Sequence, residues 1–167
     1  AHSLLDIIND ILDFSKIEAG KLELYIEKYN IRELLSQIID LILYESNHKN
    51  LTLELSISAD VPNYFWVDSV RLKQILINLL ANAIKFTKKG SIKLEVSVIE
   101  KTDDVNTKIS FAVIDTGIGI LEENQKRIFK AFSQEDSSTT RKFGGTGLGL
   151  TISNQLLNLM NKSSNFF

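Results

Sequence analysis

The stretch at 68–90, DSVRLKQILINLLANAIKFTKKG, decides how this chain is read. Asp68 stands where a carboxylate can accept from the first free backbone N–H groups of a helix, and Leu72, Ile75, Leu76, Leu79 and Leu80 follow at steps of three and four. With Gly90 as the exit, the spacing predicts a helix from Asp68 to about Phe86. On it Asn78, Asn82 and Lys85 share one face near the C-terminal end, and the apolar residues take the other. Asparagine is a middling helix former whose amide must be satisfied, so two on one stripe are a poor choice for packing alone. Amide oxygens and a lysine suit a magnesium ion carried on phosphates, because such an ion keeps several waters and needs few protein oxygens. A solvated helix face is the competing reading.

Downstream, residues 91–99 and 108–114 alternate as paired strands joined by a polar tip at 101–107. The run Asp115, Thr116, Gly117, Ile118, Gly119 then places a carboxylate at the sheet edge, beside a loop whose backbone can approach a ligand closely. A carboxylate there can accept from an exocyclic amine such as that of adenine; an ordinary turn after a strand looks the same. A short helix is expected at 122–129, with Phe129 and Phe132 beside Ile128 read as core or as anchors for a lid. Gly144, Gly145, Gly147 and Gly149 surround Thr146 and open a last helix at 148–160, where free N–H groups and the positive end of the helix dipole favour an anion. No Gly-Lys-Ser/Thr comes after it and no strand directly precedes it, so this is neither a Walker loop nor a dinucleotide fingerprint. Arg141 and Lys142, in the polar stretch ahead of it, suit a mobile lid bearing positive charge; an exposed loop is the bland alternative.

Upstream, Leu4, Ile7, Ile8, Ile11, Phe14 and Ile17 form one stripe of a helix at 3–19, which Gly20 can end in a left-handed cap. The near-heptad repeat suits a partner helix as well as it suits this chain's own core. Asn30 and Glu33 have the form of a capping box, and Ile31, Leu34, Leu35, Ile38, Ile39, Ile42 and Leu43 give a wide apolar face running toward Tyr44. Residues 51–57 alternate as a half-buried strand, and Pro62 turns the chain into a short extended piece at 64–67. Helices and strands interleave around a mixed sheet, so the fold class is α/β, a two-layer sandwich of a mixed β-sheet and helices.

A chain of 167 residues with 44% apolar content can bury a sizeable core. The formal net charge of -2 gives no global basic field for nucleic acid or an anionic membrane. Without cysteine there is no disulfide framework or thiolate metal site, in keeping with a reducing, cytoplasmic setting. Apolar stretches are broken too often to span a bilayer, so no membrane contact by this piece is expected.

In order and spacing these motifs together resemble the catalytic domain of sensor histidine kinases, within the ATPase family shared with gyrase, MutL and a heat-shock chaperone. NLLANAIKFT from Asn78 is similar to the asparagine box, DTGIGI from Asp115 to the first glycine box, IFKAF from Ile128 to the phenylalanine box, and GGTGLGL from Gly144 to the second glycine box. SSTTRKF is similar to the lid of hybrid-type kinases. The opening LLDIINDILDFSKIEAGKLEL is similar to the second helix of the dimerisation stem. The resemblance implies a Bergerat-type ATP-binding fold preceded by a stem helix, with residues 1–20 the stem and linker and 21–167 the catalytic domain. It implies ATP and Mg²⁺, with Asn82 on the metal, Asn78 assisting, Lys85 on phosphate, Phe86 bordering the adenine and Asp115 on its amine. Gly117, Gly119, Thr146, Gly147 and Leu148 would line the nucleotide, and Arg141 or Lys142 would close over the phosphates. The parent, membrane-anchored or not, would be a homodimer through the stem, working with a receiver domain or response regulator in a phosphorelay.

Two departures stand out. Many relatives carry a basic residue just after the phenylalanine box, where this chain has Gln134, and the family's chain continues into two further strands, whereas only NKSSNFF comes after Met160. The last two sheet strands are expected to be missing or truncated, with 164–167 reminiscent of the final one. The family's acceptor histidine is followed by an acid and then Arg-Thr-Pro, and neither His2 nor His48 fits. The expectation is a protein-histidine kinase domain that binds ATP but does not phosphorylate itself. An ATP-hydrolysing relative would need a glutamate at position 78, since an amide cannot serve as general base. A non-catalytic interaction module with a vestigial site is the other alternative.

Overall fold

The structure, a computed structural model, describes residues 4–101, 107–125, 128 and 148–163. In chain order the elements are α1 (Leu4–Glu18), β1 (Glu27–Asn30), α2 (Ile31–His48), β2 (Thr52–Ile57), β3 (Tyr64–Val67), α3 (Ser69–Phe86), β4 (Ser91–Lys101), β5 (Thr107–Asp115), α4 (Glu122–Gln125) and α5 (Gly149–Ser163).

β4 organises the main sheet because its apolar residues alternate. Ile92, Leu94 and Val96 are fully buried on one face, while Lys93, Glu95 and Ser97 point the other way. It runs parallel to β2, with Leu53 opposite Ile92, and antiparallel to β5, with Leu94 opposite Val113. The sheet order is therefore β2-β4-β5. A register shift between Val98 and Glu100 marks a bulge near the distal end of the hairpin. Helices cover the buried face. Ile31, Leu34, Leu35 and Ile38 of α2, Leu72, Leu76 and Leu80 of α3, and Leu148, Ile152 and Leu156 at α5 join β4 in one core. This is the expected two-layer α/β arrangement around a mixed sheet.

β1 and β3 form a separate antiparallel ribbon, from Glu27 opposite Val67 to Asn30 opposite Tyr64. The sequence offered no sign of β1, a short and mostly polar strand. Asn30 Oδ1 accepts from the N–H groups of Arg32 (3.0 Å) and Glu33 (3.2 Å), so its half of the capping box is in place. The side chain of Glu33 instead receives Gln37 Nε2 at 3.5 Å. Leu43 departs from the apolar face expected of it: it is 42% exposed, next to Tyr44 at 80%. The covered stripe steps 31, 34, 35, 38, 42 and ends at Ser46, and a residue one position past Ile42 lies about 100° further round the helix.

Asp68 caps α3 through Oδ1, which accepts from Arg71 N–H at 3.0 Å, while Oδ2 accepts from Tyr25 N–H at 2.9 Å and tethers the chain entering β1. α1 ends in a Schellman motif: Gly20, at φ +65°, donates to Ile17 O (3.0 Å), and Lys21 donates to Lys16 O (2.9 Å). Its stripe divides: Phe14 and Ile17 pack against the core, whereas Ile8 and Ile11 are exposed, as are Leu5 and Leu12 beside them. Polar contacts pin the helix to the domain: Asp13 Oδ2 accepts from Arg71 Nη1 (2.8 Å) and Gln74 Nε2 (3.0 Å), and Gln155 Nε2 donates to Glu18 Oε1 (2.6 Å). Among the described residues no helix is long and apolar enough to cross a membrane. The expected final strand at 164–167 lies outside the described residues.

Candidate functional site

α3 supplies the floor. Asn78, Asn82 and Lys85 are each half-buried on a helix whose Leu76, Leu80, Ala83 and Ile84 are buried beneath them, so they are not an ordinary solvated face. Its C-terminal end is held from two sides. Lys49, just past α2, donates from Nζ to Ile84 O (2.7 Å) and Lys85 O (3.2 Å), a cation on the negative end of the helix. From the other side Ile118 N–H donates to Phe86 O at 3.4 Å, docking the loop after β5 on the last turn.

That loop approaches closely because residue 117 is glycine. A Cβ there would stand 2.6 Å from Asp115 Oδ1, 2.8 Å from Phe86 O and 2.9 Å from Thr87 Oγ1, closer than side-chain carbon atoms come. Gly117 N–H donates to Asp115 Oδ1 at 2.7 Å, which turns the chain and fixes the carboxylate at the exposed end of β5. Thr116 fastens the same turn to β4: its N–H donates to Ser91 O (3.2 Å), and its Oγ1 accepts from Ser91 N–H (3.1 Å). Gly119 adopts φ +71°, a left-handed conformation that glycine reaches without strain. Asp115, Gly117, Gly119, Ile120, Gln125 and Ile128 line a cleft of about 460 Å³. That is the size range of small-molecule sites.

At the other end of the polar face lies the start of α5. Asn78 Nδ2 donates to Ser153 Oγ at 2.9 Å, and a Cβ on Gly149 would overlap Asn78 Oδ1. The glycine thus lets the first turn of α5 settle directly on the asparagine. Leu148, just before that turn, is fully buried. Lys85 Nζ lies 5.1 Å from the centroid of the Phe86 ring, and burial holds its ammonium pKa below the ordinary lysine range. A partly desolvated cation of this kind gains most from an anion brought to it.

Of the residues the sequence singled out, the structure brings Asn78, Asn82, Lys85, Phe86, Asp115, Gly117, Gly119 and Leu148 to one region around α3. Arg141, Lys142, Thr146 and Gly147 lie outside the described residues, as do Phe129 and Phe132. Three contributors were not singled out by sequence: Thr87, Thr116 and Ser153. Ser153 had no readable sign, being one of several polar residues on α5 beside Thr151, Asn154 and Gln155. Thr87 had none either, because a threonine after a helix is ordinary. Its Oγ1 is nevertheless buried with no hydrogen-bond partner among the described residues.

Residue types and arrangement fit a nucleotide with its metal. An orphaned buried hydroxyl and a glycine notch sit beside a carboxylate at one end, and a lysine and two amides lie along the helix toward the start of α5. No cluster of three or more His, Cys, Asp or Glu forms an independent metal centre among the described residues. The donor set therefore suits an ion brought in on phosphates, for which one or two protein oxygens suffice.

This fold and site define a nucleotide-binding ATPase-type domain, and comparison with known proteins gives the class. Residues 67–166 match the family described as histidine kinase-, DNA gyrase B-, and HSP90-like ATPase, and the chain belongs to it. More particularly, it is homologous to sensor and hybrid histidine kinases. It is 47% identical over 168 residues to the signal transduction histidine-protein kinase BarA of Escherichia coli, covering 99% of this chain and 18% of that protein. It is 45% identical over 160 residues to the sensor histidine kinase GacS of Pseudomonas protegens, covering 96% and 17%. The crystal structure of full-length ShkA in complex with AMPPNP superimposes with a TM-score of 0.78 at 35% identity, over 92% of this chain and 30% of that one. The chain thus spans less than a fifth of the length of the curated relatives it matches.

Proposed function

We propose that this chain is the ATP-binding catalytic part of a two-component sensor histidine kinase, and that it donates the γ-phosphoryl group of ATP to a stem-helix histidine that the chain itself lacks. The observation that carries the reading is the junction at α3, whose polar face runs from the Asp115 loop to the first turn of α5. On this reading residues 1–20 are the second stem helix and linker, and 21–167 the catalytic domain.

The chemistry is positioning and charge neutralisation, since phosphoryl transfer asks little covalent work of the protein. Asp115 accepts from the adenine amine, Phe86 borders the ring, and the backbone at Gly117, Gly119, Gly147 and Leu148 tracks the nucleotide, with Thr146 beside it. Lys85 meets phosphate oxygens. Asn82 supplies an oxygen to Mg²⁺, and Asn78 assists while Ser153 holds its amide in place. Magnesium, when bound, offsets the charge of the phosphate oxygens. Arg141 and Lys142 close over the phosphates. The exposed Leu5, Ile8, Ile11 and Leu12 of α1 support a homodimer through the stem, with a receiver domain or response regulator as the downstream partner. The reaction belongs in the cytoplasm, where ATP is available.

The test is calorimetry with ATP and Mg²⁺, and then radiolabelled ATP with and without a separately supplied stem helix carrying the acceptor histidine. Binding that is lost in Asp115→Asn and Asn82→Ala, with label on the added stem alone, is the expected result. Steady hydrolysis abolished by Asn78→Ala would point to an ATP-hydrolysing machine, and an intact fold without binding would point to a non-catalytic module. Label on His48, exposed at the end of α2, would overturn the division of labour.

A further inference from the structure

We infer that Lys49 is a positioning residue of this site that acts through charge: its ammonium covers the negative end of α3, the helix end at which the phosphates are to be held. This role deepens the proposed function and rests on Lys85 as the group that meets phosphate.

A helix that meets phosphate with its last turn offers an anion the unfavourable pole. The macrodipole leaves roughly half an elementary negative charge on the final carbonyls, whereas anions are favoured at the opposite end. Lys85 lies in the last turn of α3, and Asn82 three residues before it. The final carbonyls are covered by three donors. Ala83 O accepts from Thr87 N–H (3.0 Å) and Phe86 O from Ile118 N–H (3.4 Å), both neutral groups. Between them Ile84 O and Lys85 O accept from Lys49 Nζ at 2.7 and 3.2 Å.

The turn after α2 is built to deliver this side chain. Asn50 takes φ +54°, Ser46 Oγ–H donates to Leu51 O at 2.9 Å, and Thr52 N–H donates to Gly90 O at 3.0 Å, so the exits of α2 and α3 are bound side by side. The described ion pairs join Arg71 to Asp13, Lys93 to Glu95 and Lys108 to Glu100, so no described carboxylate claims the charge of Lys49. The fold alone does not call for a cation here. Lys88, Lys89 and Gly90 are exposed beside this helix end, and water could satisfy the carbonyls without the rotamer entropy lost in fixing a lysine. Water, however, brings no net charge. A fixed ammonium offsets the helix pole before a polyanion arrives, so its effect grows with the charge of the ligand.

The test is calorimetry with ATP and ADP in the presence of Mg²⁺, and competition binding with adenosine. Lys49→Met should weaken ATP about two- to fivefold, the range for a cation at an exposed helix C-terminus. ADP should lose less and adenosine nothing, and the loss for ATP should shrink at high salt. Lys49→Arg, which keeps the charge, should bind as the parent does. Equal losses for ATP and adenosine, full ATP binding in Lys49→Gln, which keeps a donor without charge, or a Lys49→Met chain too unstable to bind would show that the lysine serves the fold and overturn the inference. A parent chain that binds no ATP overturns the proposed function and this role with it. A parent that binds ATP, with Lys49→Met binding it as tightly, overturns the role of Lys49 alone.

Discussion

Replacing Gly149 by alanine should have an effect on stability that depends on what occupies position 78. The added Cβ overlaps Asn78 Oδ1 and stands 3.1 Å from Cγ and 3.2 Å from Nδ2, so its three nearest neighbours all belong to one amide. Because the obstruction is the end of a side chain, the amide can rotate away, but it then gives up its 2.9 Å bond to Ser153 Oγ, worth about 1 kcal/mol net. Against this, alanine near the start of a helix recovers up to ~1 kcal/mol over glycine. The two effects offset, so Gly149→Ala alone should leave stability within about 1 kcal/mol of the parent. In an Asn78→Ala background the obstruction and the bond are both gone, and the same substitution should stabilise by up to ~1 kcal/mol. The coupling between the sites is therefore about 1 kcal/mol, readable as a shift of the urea midpoint at constant slope. On the proposed function, which assigns the displaced amide to the nucleotide side, ATP affinity should fall roughly tenfold in Gly149→Ala. Equal stabilisation in both backgrounds with unaltered ATP binding would refute the contact between α3 and α5.

Lys85 gives a pH signature. Burial lowers its pKa in the free domain, and a triphosphate beside it would raise it again. The bound pKa then exceeds the free one, so ATP affinity is fully present below the lowered free-state pKa and is lost as pH rises from there through the bound-state pKa. Calorimetry in buffers of different ionisation enthalpy should detect proton uptake on binding in that window, and Lys85→Gln should abolish it. Lys85→Met should also stabilise the free domain, having no charge to desolvate. Asp68→Ala removes both the α3 cap and the acceptor for Tyr25 N–H, and should lower stability by about 2–3 kcal/mol in denaturant unfolding. Asp68→Asn keeps one acceptor oxygen and should lose roughly half as much.

The periodic parts of this fold were legible because each depends on a few neighbouring residues. Asp68 with the Leu72 to Leu80 stripe, the alternation of Ile92, Leu94 and Val96, and Asn30 ahead of Ile31 all fall where their patterns put them. Leu43 did not, because a pattern counts it as apolar while only packing decides how wide the covered stripe is. β1 was invisible for a related reason: its four residues have little pattern of their own and become a strand by pairing with β3.

At the site the division is sharper. The sequence by itself determined which chemistry is carried: two amides and a lysine on one helical face, a carboxylate at a strand end, and glycines where backbone must come close. Those are local properties, set by helical and extended geometry. Only the tertiary structure decided that Gly117 sits on Phe86 O and Thr87, that Asn78 reaches Ser153 across 75 residues, and that α1 is pinned through Asp13 to Arg71. Those contacts join segments whose separation in sequence carries no periodic sign, and they exist because burying β4 under α2, α3 and α5 leaves the polar ends of these elements one place to meet.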